Sequence, residues 1–106
     1  SRDDHEMIYY LTNKAFQKSS MEERISYIPR ISELVPLDNV VNSLIISSLF
    51  EHLDEKMCMD IIDQWKIRYK DNSAFIHEIE ESKNQILYNR YHKQENESNK
   101  NIKVIP

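Results

Sequence analysis

The sequence contains no glycine in 106 residues, although average usage of about 7% would supply roughly seven. Glycine is the residue that lets a backbone adopt positive φ or approach a phosphate group closely. The sequence therefore excludes a P-loop, a glycine-rich dinucleotide-binding turn and the nucleophile elbow of α/β-hydrolases. Tight two-residue β-hairpins, which also depend on glycine, are disfavoured.

Cysteine is scarce as well, and neither sign of charge dominates. Cys58 is the only cysteine, so no internal disulfide can form, and we expect a buried, unreactive thiol in a reducing compartment. The formal net charge of −4 argues against a general nucleic-acid binder. The longest apolar stretch, residues 40–53, is too short and too polar to span a bilayer. These features predict an intracellular protein, nuclear or cytoplasmic, without membrane contact.

Apolar residues recur at helical spacing in five segments, which predicts an all-α fold. The segments begin at Asp4, Ser20, Asp38, Asp54 and Ser73. We expect a compact bundle or short superhelix of four to five helices, built as a single domain from residues 1–93. Residues 94–106 begin with an uninterrupted polar run and are expected to form a disordered tail.

Local signals refine these helices. Ser20 and Glu23 have the spacing of a capping box. Pro29 predicts either a kink or two short helices, because proline removes an amide donor from the helix. Residues 38–53 are apolar over more than half of the helical circumference, which predicts a central helix. Asn72 is expected to supply a left-handed C-cap in place of glycine.

The chain offers little for catalysis or metal binding. Its four histidines are scattered and form none of the i, i+4 pairs typical of a helical zinc site. Residues 36–63 carry six acids and one base, a pattern typical of a solvated face. We therefore predict a non-enzymatic domain without a metal or cofactor.

The polar stretch 80–85 in the fifth helix is expected to touch the bundle only lightly.

Aromatic residues give the best indication of function. Tyr9 and Tyr10 are adjacent, so both cannot face the core, and exposed tyrosines are enriched at protein interfaces. We predict an adaptor or scaffold module of a larger protein, which binds a peptide or helical segment of another protein. The predicted partner-binding residues are Tyr9, Tyr10, Trp65, Lys66, Arg68, Tyr69, Tyr88 and Tyr91.

Other interpretations of the same residues remain open. Trp65 and Tyr69 also have the spacing of core residues. The basic and aromatic segment 64–93 could instead bind nucleic acid, since cations track phosphates while aromatic rings stack on bases. That alternative depends on Lys66, Arg68, Lys70, Arg90 and Lys93. In a third interpretation, the tyrosine faces and the fifth segment are buried against a second copy of the chain.

Overall fold

A computed structural model describes the backbone of residues 2–103 and the side chains of residues 7, 9, 10 and 13–93. Within these residues the chain forms five α-helices and no strand, which confirms the predicted all-α fold. The helices are α1 (Arg2–Lys18), α2 (Met21–Leu34), α3 (Asn39–His52), α4 (Glu55–Arg68) and α5 (Ser73–Lys103). The side chains of the predicted tail, residues 94–106, lie outside the described residues, so the contacts of α5 given below are those of residues 73–93.

The odd-numbered helices form one layer and run in the same direction. Asn13 of α1 accepts a hydrogen bond from Ser48 of α3 at 2.9 Å, and one turn later the ring of Phe16 lies 5.7 Å from that of His52. Contacts between α3 and α5 also advance together along both helices. They join Asn42 to Glu78, Ser43 to Ser82, and the carbonyl of Phe50 to Arg90.

The even-numbered helices form the second layer. Ser32, near the end of α2, contacts Trp65 and Tyr69, which lie at the end of α4. Helix α4 runs antiparallel to α5, because Glu55 at its start pairs with Arg90 and Lys66 near its end pairs with Glu80. Short connections between consecutive helices favour this antiparallel packing.

Helix α3 occupies the centre, as its sequence predicts. It packs against α1, α4 and α5, and its apolar face lies in the main core. The buried core residues of α3 are Val41, Ile45, Ile46, Leu49 and Phe50. A helix that is apolar over so wide an arc can bury it only when neighbours lie on more than one side.

The helix ends explain how the fold does without glycine. The predicted capping box is present, with the Ser20 hydroxyl accepting the Glu23 amide at 3.2 Å. Val35 and Leu53, which end α2 and α3, are both extended. No residue of the described backbone has positive φ, so the predicted left-handed C-cap at Asn72 is wrong. Asn72 instead lies immediately before α5 as its N-cap, and its side-chain oxygen accepts a hydrogen bond from the backbone N–H of Phe75 at 3.1 Å.

Pro29 does not divide α2, which is one helix of 14 residues. Of the two alternatives predicted at Pro29, a kink or two short helices, the second is therefore wrong, and tertiary contacts on both sides of the proline explain why α2 continues. Ser32 is held by α4, and Arg24 donates hydrogen bonds to three main-chain carbonyls. These carbonyls belong to Phe16 at 2.8 Å, Ser19 at 3.1 Å and His52 at 2.8 Å. Each hydrogen bond from a charged donor stabilises the folded protein by about 1.5–3 kcal/mol. The three bonds of Arg24 therefore offset the cost of about 3 kcal/mol of placing a proline inside a helix.

Cys58 is fully buried in the core, as predicted, and we expect its thiol to be inert in the native protein. Burial raises the pKa of Cys58 to about 12, so only about one thiol in ten thousand is ionised at pH 8. A thiol-specific chromogenic disulfide should react within minutes in concentrated urea and hardly at all in native buffer. Rapid, complete reaction of the native protein would show that α4 opens readily.

Candidate interaction surface

The predicted partner-binding residues do not form one surface. Trp65 is 2% exposed, and its indole N–H donates to the Ser32 hydroxyl at 2.8 Å. Tyr69 is half-buried, and its hydroxyl donates to the Ser32 carbonyl at 2.6 Å. Both rings also pack on Phe75 of α5. These two residues therefore join three helices, and Trp65 is inaccessible to a partner.

The two tyrosines of α1 differ in exposure, as predicted from their adjacent positions. Tyr9 packs against the core, whereas Tyr10 is 60% exposed. The ammonium of Lys14 lies 5.6 Å from the centre of the Tyr10 ring. Tyr10 is thus an exposed aromatic residue on a different helix from the remaining candidates.

The basic candidates differ in whether they already form an ion pair within the domain. The Lys66 side chain is 29% exposed and forms an ion pair with Glu80 of α5. Lys83 also binds Glu80, at 2.8 and 3.0 Å. Burial opposes ionisation of Glu80, but the hydrogen bonds from both lysines hold the pKa of this carboxyl below its ordinary value. Arg68 remains exposed, with its guanidinium 5.6 Å from the Tyr69 ring.

Tyr88 and Tyr91 are 58% and 51% exposed, as predicted, but their surroundings differ. The Tyr91 hydroxyl donates to the carboxylate of Glu55 at 2.7 Å, and Arg90 binds the same group at 2.9 Å. These hydrogen bonds lower the pKa of Glu55. Tyr88 makes no such link and stacks one ring face on His92, with ring centres 3.9 Å apart. Because more than half of its surface is exposed, the Tyr88 ring is accessible to a partner.

Tyr88 lines an open cleft of about 750 Å³ between the outer faces of α3 and α5, which we call the α3–α5 cleft. Most of its lining residues are uncharged and polar, and Ile86 is the one aliphatic side chain among them. The lining residues are Ser43, Ser47, Glu81, Ser82, Asn84, Gln85, Ile86, Tyr88 and Asn89. Of the predicted partner-binding residues, only Tyr88 lies here.

Residues 80–85 contact α3 at the floor of the cleft, so the expectation that they touch the bundle only lightly is wrong. The Ser82 hydroxyl donates to the Ser43 hydroxyl at 3.0 Å, so small side chains bring α3 and α5 together. Above this contact, the Gln85 amide donates to the Asn89 side chain at 3.1 Å. Both N–H donors of the Asn89 side chain and the side-chain carbonyl oxygen of Gln85 form no hydrogen bond within the described residues. The cleft therefore offers hydrogen-bonding groups beside one accessible aromatic ring.

Comparison with protein-family models, curated proteins and solved structures finds no match to this chain. The described side chains contain no group of three His, Cys, Asp or Glu residues arranged to hold a metal ion. None of the described helices combines the length and hydrophobicity needed to cross a membrane. The geometry of the surface is therefore the basis for a functional proposal.

Proposed function

We propose that this domain binds a segment of another protein in the α3–α5 cleft. The observation that carries the proposal is the combination of unused amide groups with the accessible face of Tyr88. Aromatic residues beside adaptable hydrogen-bonding groups are typical of protein-recognition surfaces. Most of the lining residues lie on α5, which the Ser82–Ser43 hydrogen bond joins to the central helix α3, and a surface built on two packed helices loses little entropy on binding.

The structure gives less support to nucleic-acid binding. Lys66 and Arg90 are already paired with Glu80 and Glu55, which leaves Arg68, Lys70 and Lys93 of the five cations named for that function. Affinity for nucleic acid depends on the number of phosphates that free cations neutralise. A second, smaller cleft near Arg68 and Tyr69 includes Asp71 in its lining, and this negative charge opposes phosphate binding.

Peptide selection tests the proposal directly. A library of random peptides displayed on phage should yield binders to the full 106-residue chain. We expect Tyr88→Ala to weaken binding of a selected peptide by about tenfold, since truncating a central aromatic anchor costs more than 1 kcal/mol. Ser47→Arg should block the cleft sterically. Tyr10→Ala, which removes an equally exposed tyrosine from α1, is the matched control and should leave the affinity unchanged.

Nuclear magnetic resonance would locate the bound peptide independently of mutation. Amide shifts should concentrate on residues 43–47 and 81–89. Failure to select any peptide, or equal losses in Tyr88→Ala and Tyr10→Ala, would contradict the proposal. Salt-sensitive binding of mixed RNA at residues 66–70 would favour the nucleic-acid alternative. A concentration-dependent mass in sedimentation would favour self-association.

A further inference from the structure

We infer that the partner segment is an extended peptide of about four residues with a lysine or arginine beside Glu81. This inference rests on the proposed function of the α3–α5 cleft and adds the conformation and charge of the ligand. Three properties of the cleft support it: its lining chemistry, its length and its charge.

The lining chemistry favours an extended peptide over a helix. A helix docks through a stripe of apolar side chains and presents no free backbone groups, because its amides and carbonyls are paired internally. The cleft has Ile86 as its one aliphatic lining residue, so it cannot receive such a stripe. An extended peptide has unpaired amides and carbonyls, which match the side-chain amides of Gln85 and Asn89.

The spacing of the lining residues sets the length. Eight residues separate Glu81 from Asn89, a rise of about 12 Å along α5. An extended chain advances about 3.3 Å per residue, so this distance accommodates about four residues. Ser43 and Ser47 are one turn apart, about 6 Å, close to the 6.6 Å between alternate residues of an extended peptide. Alternate positions of the peptide therefore face the serines of α3.

The charge of the cleft is negative, because Glu81 is the one charged residue among the described side chains that line it. The neighbouring cations of α5 are directed elsewhere: Lys83 binds Glu80, and Arg90 binds Glu55. Glu81 lies 3.4 Å from His77, an exposed residue that is charged only when protonated. No lysine or arginine of the described residues pairs with the Glu81 carboxylate, so it can pair with a cation of the peptide.

A charge-swap experiment tests this pairing. The probes are capped hexapeptide pools with lysine, glutamine or glutamate fixed at each position in turn, measured at pH 8. We expect one lysine pool to bind about fivefold more tightly than its glutamine counterpart, as an exposed ion pair allows. Glu81→Lys should reverse the preference, so that the glutamate pool binds best. Raising the salt concentration to 0.5 M should remove most of the difference.

The control is Glu33→Lys, which makes the same charge change on an exposed position of α2. A similar reversal in Glu33→Lys would show a non-specific charge effect and overturn the inference. So would equal binding of the three pools, or helical structure in the bound peptide. If Tyr88→Ala still weakened binding in these cases, the proposed function would stand. Absence of any hexapeptide binding in the cleft would defeat both.

Discussion

Replacing Trp65 with alanine is expected to lower the free energy of unfolding by about 3–5 kcal/mol, the range for truncating a large buried aromatic side chain. Trp65 fills the space between α2, α4 and α5 and packs with Phe75, with ring centres 6.3 Å apart. The substitution also removes the hydrogen bond from the indole N–H to the Ser32 hydroxyl. Because domains of this size are stable by about 5–15 kcal/mol, the variant should be marginally folded.

Urea denaturation followed by circular dichroism measures this effect, since Trp65 is the only tryptophan and its fluorescence disappears with the substitution. Trp65→Phe retains most of the ring volume and should lose about 1–2 kcal/mol, chiefly through the missing hydrogen bond. Tyr10→Ala is the exposed control and should change stability by less than about 0.5 kcal/mol. A loss below 1 kcal/mol in Trp65→Ala would contradict the assignment of Trp65 to the core.

The stability of Trp65→Ala also bears on how binding data are interpreted. Trp65 belongs to the predicted partner-binding set, but a buried residue affects binding only through the fold. Any loss of peptide affinity in Trp65→Ala should therefore follow the fraction of unfolded protein. Tyr88→Ala should lose affinity without losing stability, because its ring lies at the surface.

The helices were predictable because their signals are local. Ser20 and Asp38 begin helices through side-chain caps that reach only three residues along the chain. The central place of α3 followed from the width of its apolar arc, and the burial of Cys58 followed from the hydrophobic character of a free cysteine. Adjacent positions on a helix point about 100° apart, which made the different exposures of Tyr9 and Tyr10 predictable too.

The cleft was not predictable because hydrophobic periodicity reports only where apolar side chains recur. Ser43 and Ser82 are 39 residues apart, and nothing in either local sequence indicates that their hydroxyls meet. Polar residues 80–85 resemble a solvated segment, yet Lys83 is mostly buried beside Glu80. Pairing between polar side chains depends on the arrangement of α3 and α5, which a single sequence does not specify.

The absence of glycine has a structural counterpart in the connections. Helices α2 and α3 both end with an extended residue, and no residue of the described backbone has positive φ, so the chain turns without a left-handed position. The connection between α2 and α3 depends most on one side chain. Asn42 is 2% exposed, and its side chain binds both the amide and the carbonyl of Leu37, at 2.7 and 3.1 Å.

Asn42→Asp is therefore expected to cost about 3 kcal/mol at pH 7, although aspartate and asparagine have nearly the same shape. The asparagine amide also donates to the carboxylate of Glu78 at 2.9 Å. Aspartate would place a second carboxylate at that distance, facing the Leu37 carbonyl as well. Two carboxylates in one site retain a proton more strongly than either does alone.

The pH dependence distinguishes this repulsion from a simple loss of hydrogen bonds. The folded variant should hold a proton that its unfolded chain releases, so its stability falls as pH rises. Urea denaturation should show that the deficit relative to the parent protein shrinks between pH 7 and pH 4. Asn42→Ala, which adds no charge, should keep a nearly constant deficit, and Asn84→Asp at an exposed position of α5 should lose little stability. Equal deficits of Asn42→Asp at both pH values would show that Glu78 does not face residue 42 in the folded protein.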